Sequence, residues 1–333
     1  MSENIFISII IPNYNKGQFI IEMLDSLKNQ TYKLWEAIII DDGSEDDSVK
    51  LIKNFQLRCK NIKLILNSNK NKGASFCRNI GIEKSIGEYV MFLDSDDKIS
   101  KDCLDLRLKV FLRYPDNDFI VFPTGTFYNK IGDNSYIWLP KSKDFLISFL
   151  EHNIKWTISS PIWKRSALKK LKGFDEQYPR LQDIELHTRA LLVDDFNFKV
   201  ISNYAPDNFY RINEIKSSLS EEAKLRNFKD GIFMYITKTF TMLNQKKHIN
   251  ALRSSLFSLM NSVNYAYVQN KINSRIHKKF EKEIKYFMKK NKDLFMRNDL
   301  SFISIYNKIY AFGFWRIKGY NFIMKAIFRL YKV

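Results

Sequence analysis

Cysteine is scarce: Cys59, Cys77 and Cys103 are the only three in 333 residues, and no CxxC pair occurs. That excludes a disulfide framework and a zinc knuckle, and it fits a reducing compartment. No run of about eighteen apolar residues passes without a charge, so no segment qualifies as a membrane-spanning helix. The opening MSENIFISIIIPNYN has no basic stretch ahead of an apolar core, as an export signal would, and its run Ile5 to Ile11 stops at Pro12 like a buried strand. A cytoplasmic location is the expectation. No G-x-G-x-x-G follows a strand and no G-x-x-x-x-G-K-[ST] is present, so dinucleotide and P-loop chemistry both lack their glycine cradle. Any phosphate would have to be held by metal and side chains.

Acidic residues are missing from one region only. Residues 231–333 hold 20 Lys and Arg against 4 Asp and Glu, whereas residues 1–230 hold 34 against 32. The net charge of +18 therefore sits almost wholly in the last third. Such asymmetry directs that third at an anionic surface and leaves a near-neutral body in front. Residues 301–333 carry six basic residues, no acidic one and ten aromatics, among them Tyr310, Phe314, Trp315 and Phe328. That composition suits contact with an anionic membrane at the headgroup boundary. The alternative is a helical cap whose aromatics pack inward while its lysines stay solvated. Nucleic acid also attracts basic residues interleaved with aromatics, but the front of the chain points elsewhere.

What is present is an ordinary globular composition, 45% hydrophobic and 27% charged. The length suits one α/β domain with something smaller behind it, and we divide the chain into 1–220 and a basic, aromatic-rich helical region 221–333. Ile5 to Ile11, Trp35 to Ile40, Ile62 to Leu66 and Tyr89 to Leu93 read as strands. Helical spacing covers Gly17 to Asn29, a stretch capped by Asp46 and running to Phe55, and Ala74 to Ser85 with Gly87 as its stop. Strands alternating with helices predict a mostly parallel sheet with helices on both faces, whose ligands bind beyond the carboxyl ends of strands. Further on, 101–113 reads as helix, 118–122 as strand, 123–140 as strand and loop, Leu181 to Val193 as helix and Phe196 to Ile201 as strand. Everything after about Ser220 reads as helical.

Three of the first four strands end in polar clusters: Pro12-Asn13-Tyr14-Asn15, Asp41-Asp42-Gly43-Ser44 and Asp94-Ser95-Asp96-Asp97. Asp94 and Asp96 alternate at a strand end, so one can orient a ribose or phosphate while the other ligates Mg2+ or Mn2+, with substrate phosphates and water completing the shell. Taken alone, the same cluster serves equally as a helix cap and turn. Arg78 lies early in the helix after Gly73, where a fixed cation could face a diphosphate.

In this order and spacing, the strand, Pro12-x-Tyr14-Asn15, DDGS and D-x-D strongly resemble the family-two glycosyltransferases of the GT-A fold, over Ile7 to roughly Leu192. The resemblance implies transfer of a sugar from a UDP- or GDP-linked donor to a glycan or lipid-linked acceptor, with inversion and no covalent intermediate. It implies that Pro12 belongs to the donor site, that Tyr14 and Asp42 contact the base, Arg78 the ring or phosphates and Asp94 the ribose, and that Asp96 holds the metal. In the family the catalytic base follows a Gly-Phe-Asp-Glu segment. Gly173-Phe174-Asp175-Glu176 precedes Gln182-Asp183 here, which makes Asp183 the base, with Gln182 standing where the family has glutamate. Without the resemblance, Asp183 reads as a helix N-terminal carboxylate. Asp97 stays outside the metal set and His187 has no catalytic role. Trp156 and Trp163 could stack on an acceptor sugar, although packing in the core is their commoner use. Q-x-x-R-W is absent, so a single addition in cell-surface polysaccharide synthesis is expected rather than processive synthesis. The readings from other classes are a non-enzymatic nucleotide or nucleic-acid binding protein and a phosphotransferase.

Overall fold

A computed structural model describes residues 5–212, 219–295 and 297–311, with Gly313, Arg316 and Met324 besides. Of the basic aromatic stretch 301–333, Phe314, Trp315 and Phe328 lie outside the described residues. The chain divides into two compact units, one comprising 1–143, 154–176 and 185–215 and the other 144–153, 177–184 and 216–333.

The first unit begins β1 (Ile7–Asn13), α1 (Gly17–Lys28), β2 (Trp35–Asp41), α2 (Ser48–Gln56), β3 (Ile62–Leu66), α3 (Ala74–Lys84) and β4 (Tyr89–Phe92). β1 and β2 are apolar runs buried on both faces, the pattern of a parallel sheet covered by helices. α1 buries Ile20, Met23, Leu24 and Leu27, one stripe at helical spacing, against that sheet's core. Next come β5 (Lys98–Ile99), α4 (Cys103–Arg113), β6 (Phe119–Val121), β7 (Thr124–Phe127) and β8 (Ile137–Trp138). After α5 (Phe145–Leu150), which belongs to the second unit, the chain continues through β9 (Pro161–Lys164), α6 (Arg165–Lys170), α7 (Gln182–Leu192), whose residues 182–184 belong to the second unit, β10 (Phe198–Val200) and β11 (Asn208–Arg211).

The main sheet has seven strands in the order β10-β6-β9-β4-β1-β2-β3, and only β9 runs against its neighbours. A second sheet, β5-β11-β7-β8, branches off directly after the acidic end of β4. Trp156 and Trp163 are fully buried, with Trp163 stacked on Phe119 and on the His187 ring, so both indoles are core and neither is open to a sugar.

Two local expectations change. The helix expected after Asp46 starts at Ser48 with Asp47 at the cap position, while the Asp46 carboxylate accepts the Ser48 and Gly17 N–H groups. Gly87 does not end a helix, since α3 already stops at Lys84. It is glycine because a Cβ there would stand 2.6 Å from the Ser8 nitrogen and 2.7 Å from the Phe6 carbonyl oxygen. The Gly87 N–H donates to the Ser8 hydroxyl, which donates in turn to buried Glu36.

The second unit is helical: α8 (Glu221–Phe240), α9 (Lys246–Ser254), α10 (Leu256–Val268), α11 (Ser274–Lys290) and α12 (Arg297–Ala311). Side-chain caps fix three starts, with Asp144 capping α5, Ser220 capping α8 and Asn273 capping α11. α10 packs on α8, α9, α11 and α12, Phe233 stacks on Phe287, and buried Arg253 pairs with Asp299 at 2.6 Å. Among the described residues, no helix is long and apolar enough to cross a membrane.

Candidate active site

β1, β2 and β4 run parallel, so their carboxyl ends open on one edge of the sheet. The backbone locks these ends together: the Asp42 N–H donates to the Asn13 carbonyl at 2.9 Å, and the Leu93 N–H donates to Ile10 at 3.1 Å. Pro12 stands beside Ile40 in this register, one pair before the ladder ends at Asn13 and Asp41. Tyr14 follows β1 and is 46% exposed. Asn13 donates to Asp41 at 2.7 Å, and the Asn15 side-chain carbonyl accepts the Glu45 N–H, so the loops after β1 and β2 are braced against each other.

Asp42 is buried, and its carboxylate accepts the Asn67 amide at 2.7 Å, the Lys72 N–H at 3.1 Å and the Gly73 N–H at 2.7 Å. Three of the roughly four acceptor positions of a carboxylate are thus filled by the loop leading into α3, leaving one for a ligand donor. The same loop delivers Arg78, 6% exposed, whose guanidinium donates to Asp94 at 2.8 Å and lies 5.4 Å from the Phe174 ring. Asp96 is paired with Lys16, in the loop after β1.

Asp97 turns inward. It is fully buried and accepts the Arg211 N–H at 2.9 Å, and burial first, then the charges of Asp94 and Asp96, pushes its carboxyl well above the usual range. Arg211 holds the acidic turn from behind, donating to the Asp96 carbonyl at 2.8 Å and to Glu22 at 3.0 Å. A metal fits this setting. The donors are hard carboxylate oxygens, and three carboxylates, Asp94, Asp96 and Asp97, stand within four consecutive residues. Buried Asn13 Oδ1, Ser75 Oγ and Arg78 Nε have no protein partner among the described residues, as a polar ligand site requires. No group of three or more His, Cys, Asp or Glu among the described residues could hold a metal unaided. Substrate phosphates and water would have to complete the shell.

The structure therefore brings Pro12, Tyr14, Asp42, Arg78, Asp94 and Asp96 to one sheet edge of the first unit. Asp183 belongs to the second unit, in the first turn of α7, where it accepts the Ile184 N–H at 2.9 Å. Leu181, just before that helix, has φ +74°, a strained value for a branched side chain. His187 is core, with Trp163 stacked on its ring and Trp156 meeting it edge to face. Lys16 and Arg211 were not singled out from the sequence. Lys16 carried a faint signal as the first cation after a strand end in the polar cluster series, whereas Arg211 carried none.

The model of the family "Glycosyl transferase family 2" matches residues 8–171. The amylovoran biosynthesis glycosyltransferase AmsB of Erwinia amylovora is 31% identical over 233 residues, which cover 66% of this chain and 75% of AmsB. Among solved structures, S. aureus TarS 1–349 in complex with UDP-GlcNAc superposes with a TM-score of 0.67 at 19% identity, covering 91% of this chain and 87% of that one. The mannosyltransferase PcManGT from Pyrobaculum calidifontis, in complex with GDP-Man and Mn2+, gives 0.54 at 14% identity, covering 99% and 88%. These two likenesses show the fold, a mostly parallel GT-A-like sheet followed by helices. The sequence relationship carries the assignment further: this chain belongs to glycosyltransferase family 2.

Proposed function

We propose that this glycosyltransferase moves a sugar, with inversion, from a UDP- or GDP-linked donor to a hydroxyl of a glycan or lipid-linked acceptor during synthesis of a cell-surface polysaccharide. The observation that carries this reading is the pair of ion pairs Arg78–Asp94 and Lys16–Asp96 at one sheet edge. They hold two carboxylates at the end of β4 with cations at hand for a diphosphate. The relatives support the donor class, since TarS is seen with UDP-GlcNAc and PcManGT with GDP-Man and Mn2+. The name of AmsB supports the polysaccharide setting.

In this reading the exposed Tyr14 ring stacks on the base, and Asp42 accepts the base N–H with its one remaining acceptor position. Pro12 fixes the backbone beneath them. Arg78 exchanges part of its bond to Asp94 for the donor phosphates, freeing Asp94 for the ribose hydroxyls. Asp96 holds Mn2+ or Mg2+, which when bound supplies charge neutralisation on the departing diphosphate. Asp183 takes the proton of the attacking hydroxyl, and the protein forms no covalent intermediate. Residues 1–220 would carry this machinery, and 221–333 would hold the enzyme at the inner face of the cytoplasmic membrane. α11 supports that placement: Arg275, Lys278, Lys282, Lys289 and Lys290 are exposed on it while Phe280, Ile284, Phe287 and Met288 are buried.

The test is a thermal-shift panel of UDP, GDP and CDP with and without Mn2+. Stabilisation by one nucleotide that requires the metal is the expected result, and a flat response to all three with metal present would defeat the reading.

A further inference from the structure

Trp156 and Trp163 are packed in the core, the commoner use of such indoles, but the first unit exposes another set of rings. On the second sheet, Thr126 lies between Tyr210 and Tyr136: it pairs with Tyr210 in the β11–β7 ladder, and its hydroxyl donates to the Tyr136 carbonyl at 2.7 Å. Trp138, two residues beyond Tyr136, falls on the same face by strand alternation. The three rings meet edge to face, with centroids 6.0 Å apart for Tyr136–Trp138 and 6.4 Å for Trp138–Tyr210. Tyr136 is 56% and Tyr210 40% exposed, and Trp138 is half-buried with its indole N–H donated to the Ile154 carbonyl.

We propose that the Tyr136–Trp138–Tyr210 face binds pyranose units of the acceptor glycan. The inference rests on the glycosyltransferase reading above and names a surface for the second substrate. Three observations select a saccharide as the occupant. The first is continuity with the acidic edge. The β11–β5 ladder pairs Asn208 with Ile99 and Phe209 with Lys98, and just past its end the Arg211 N–H, next in sequence to Tyr210, donates to the Asp97 carboxylate. A transferase has to hold an acceptor within reach of the donor it consumes. The second is chemistry. Aromatic faces rimmed by phenol hydroxyls match a pyranose, which is apolar across its C–H face and polar around its edge.

The third is preorganisation. The β7–β8 hairpin is pinned at its tip by Asp133, whose carboxylate accepts the Tyr128, Asn129 and Lys130 N–H groups, and the Tyr136 N–H is held by the Asn134 side chain. Rings presented on a braced hairpin lose little freedom when a ligand stacks on them.

The experiment is saturation-transfer NMR on the full chain with cellotriose, chitotriose, maltotriose and mannotriose as probes. Wild type and the Tyr136→Ala and Tyr210→Ala variants are compared after a check that their unfolding midpoints match. At least one probe should show saturation concentrated on the C–H protons of one ring face, with affinity about tenfold weaker in each variant. Absence of transfer from every probe, or equal affinity in all three proteins, overturns the proposal. So does a concentration-dependent dimer that Tyr136→Ala abolishes, since the face would then serve a second copy. The UDP and Mn2+ thermal shift is run alongside. A chain that binds saccharide but no nucleotide would keep this face while losing the donor reading, and the reverse result would lose only this face.

Discussion

Lys16 and Asp96 are ion-paired across 80 positions of sequence, joining the loop after β1 to the acidic turn after β4. The lysine occupies the carboxylate that the metal would need. Lys16→Ala is therefore expected to lower the unliganded melting temperature and to reduce, several-fold, the Mn2+ concentration giving half-maximal stabilisation in the presence of UDP. An unchanged Mn2+ requirement would mean that Lys16 and the metal do not compete.

Asp183 sits at the N-terminal turn of α7, just after the strained Leu181. Asp183→Asn should lower turnover about 10²- to 10⁴-fold, the usual contribution of a general base, while leaving the UDP and Mn2+ thermal shift intact. Turnover by mass spectrometry of the released nucleotide, together with the pH–rate profile, checks this. A variant that keeps both rate and profile removes Asp183 from the chemistry.

Arg107 and Asp207 form a two-pronged buried pair, with bonds of 2.8 and 2.6 Å, that ties α4 to the segment leading into β11. Removing either partner leaves an uncompensated buried charge, worth roughly 3–5 kcal/mol. Arg107→Met and Asp207→Leu should each cost about that much by urea denaturation, and the double substitution clearly less than their sum.

Glu36 is buried in the sheet. Burial alone would raise its carboxyl, but the Ile86 N–H, Lys63 and the Ser8 hydroxyl outweigh that and hold it below its ordinary value of 4.5. A carboxylate with a lowered folded-state pKa contributes stability above its unfolded pKa and loses it as the pH falls through the folded one. Denaturant midpoints should therefore decline on acidification below that ordinary value. Glu36→Gln should be less stable at neutral pH and should show a shallower decline.

The solvent face of α11 predicts contact with anionic lipid. A Lys278→Gln, Lys282→Gln, Lys289→Gln, Lys290→Gln variant should lose about two to three orders of magnitude in affinity for phosphatidylglycerol-containing vesicles, at about 1 kcal/mol per charge. Cosedimentation at two salt concentrations measures it. Equal pelleting of both proteins would assign those lysines to solvation alone.

β1 to β4 were readable because each is a short apolar run closed by a turn signal, and the acidic edge because three such runs end in polar clusters. The expected Ile62 to Leu66 coincides with β3. Lys16 and Arg211 were not readable as partners of Asp96 and Asp97. Those bonds span 80 to 115 positions, and the Arg211 ones depend on β11 laying its backbone beside β5, which no local pattern encodes. Trp156 and Trp163 are core, as the commoner use of such indoles has it, although the stretch around Ser159-Ser160-Pro161 has no periodicity to say which face is covered. β9 runs only from Pro161 to Lys164, too short for alternation to announce a strand, still less its direction.

That reversed strand bears on how the protein can be made. β4 is buried throughout and lies between β1 and β9 in the sheet. A nascent chain about 100 residues long has all three polar clusters of the sheet edge but a bare apolar strand edge from Tyr89 to Phe92, open to pairing with any other chain. The edge closes only when Pro161–Lys164 arrives. The first hundred residues are thus not a detachable module. Fragments that stop short of residue 164 should be recovered as aggregates, and fusion or truncation designs need to keep the chain through β9.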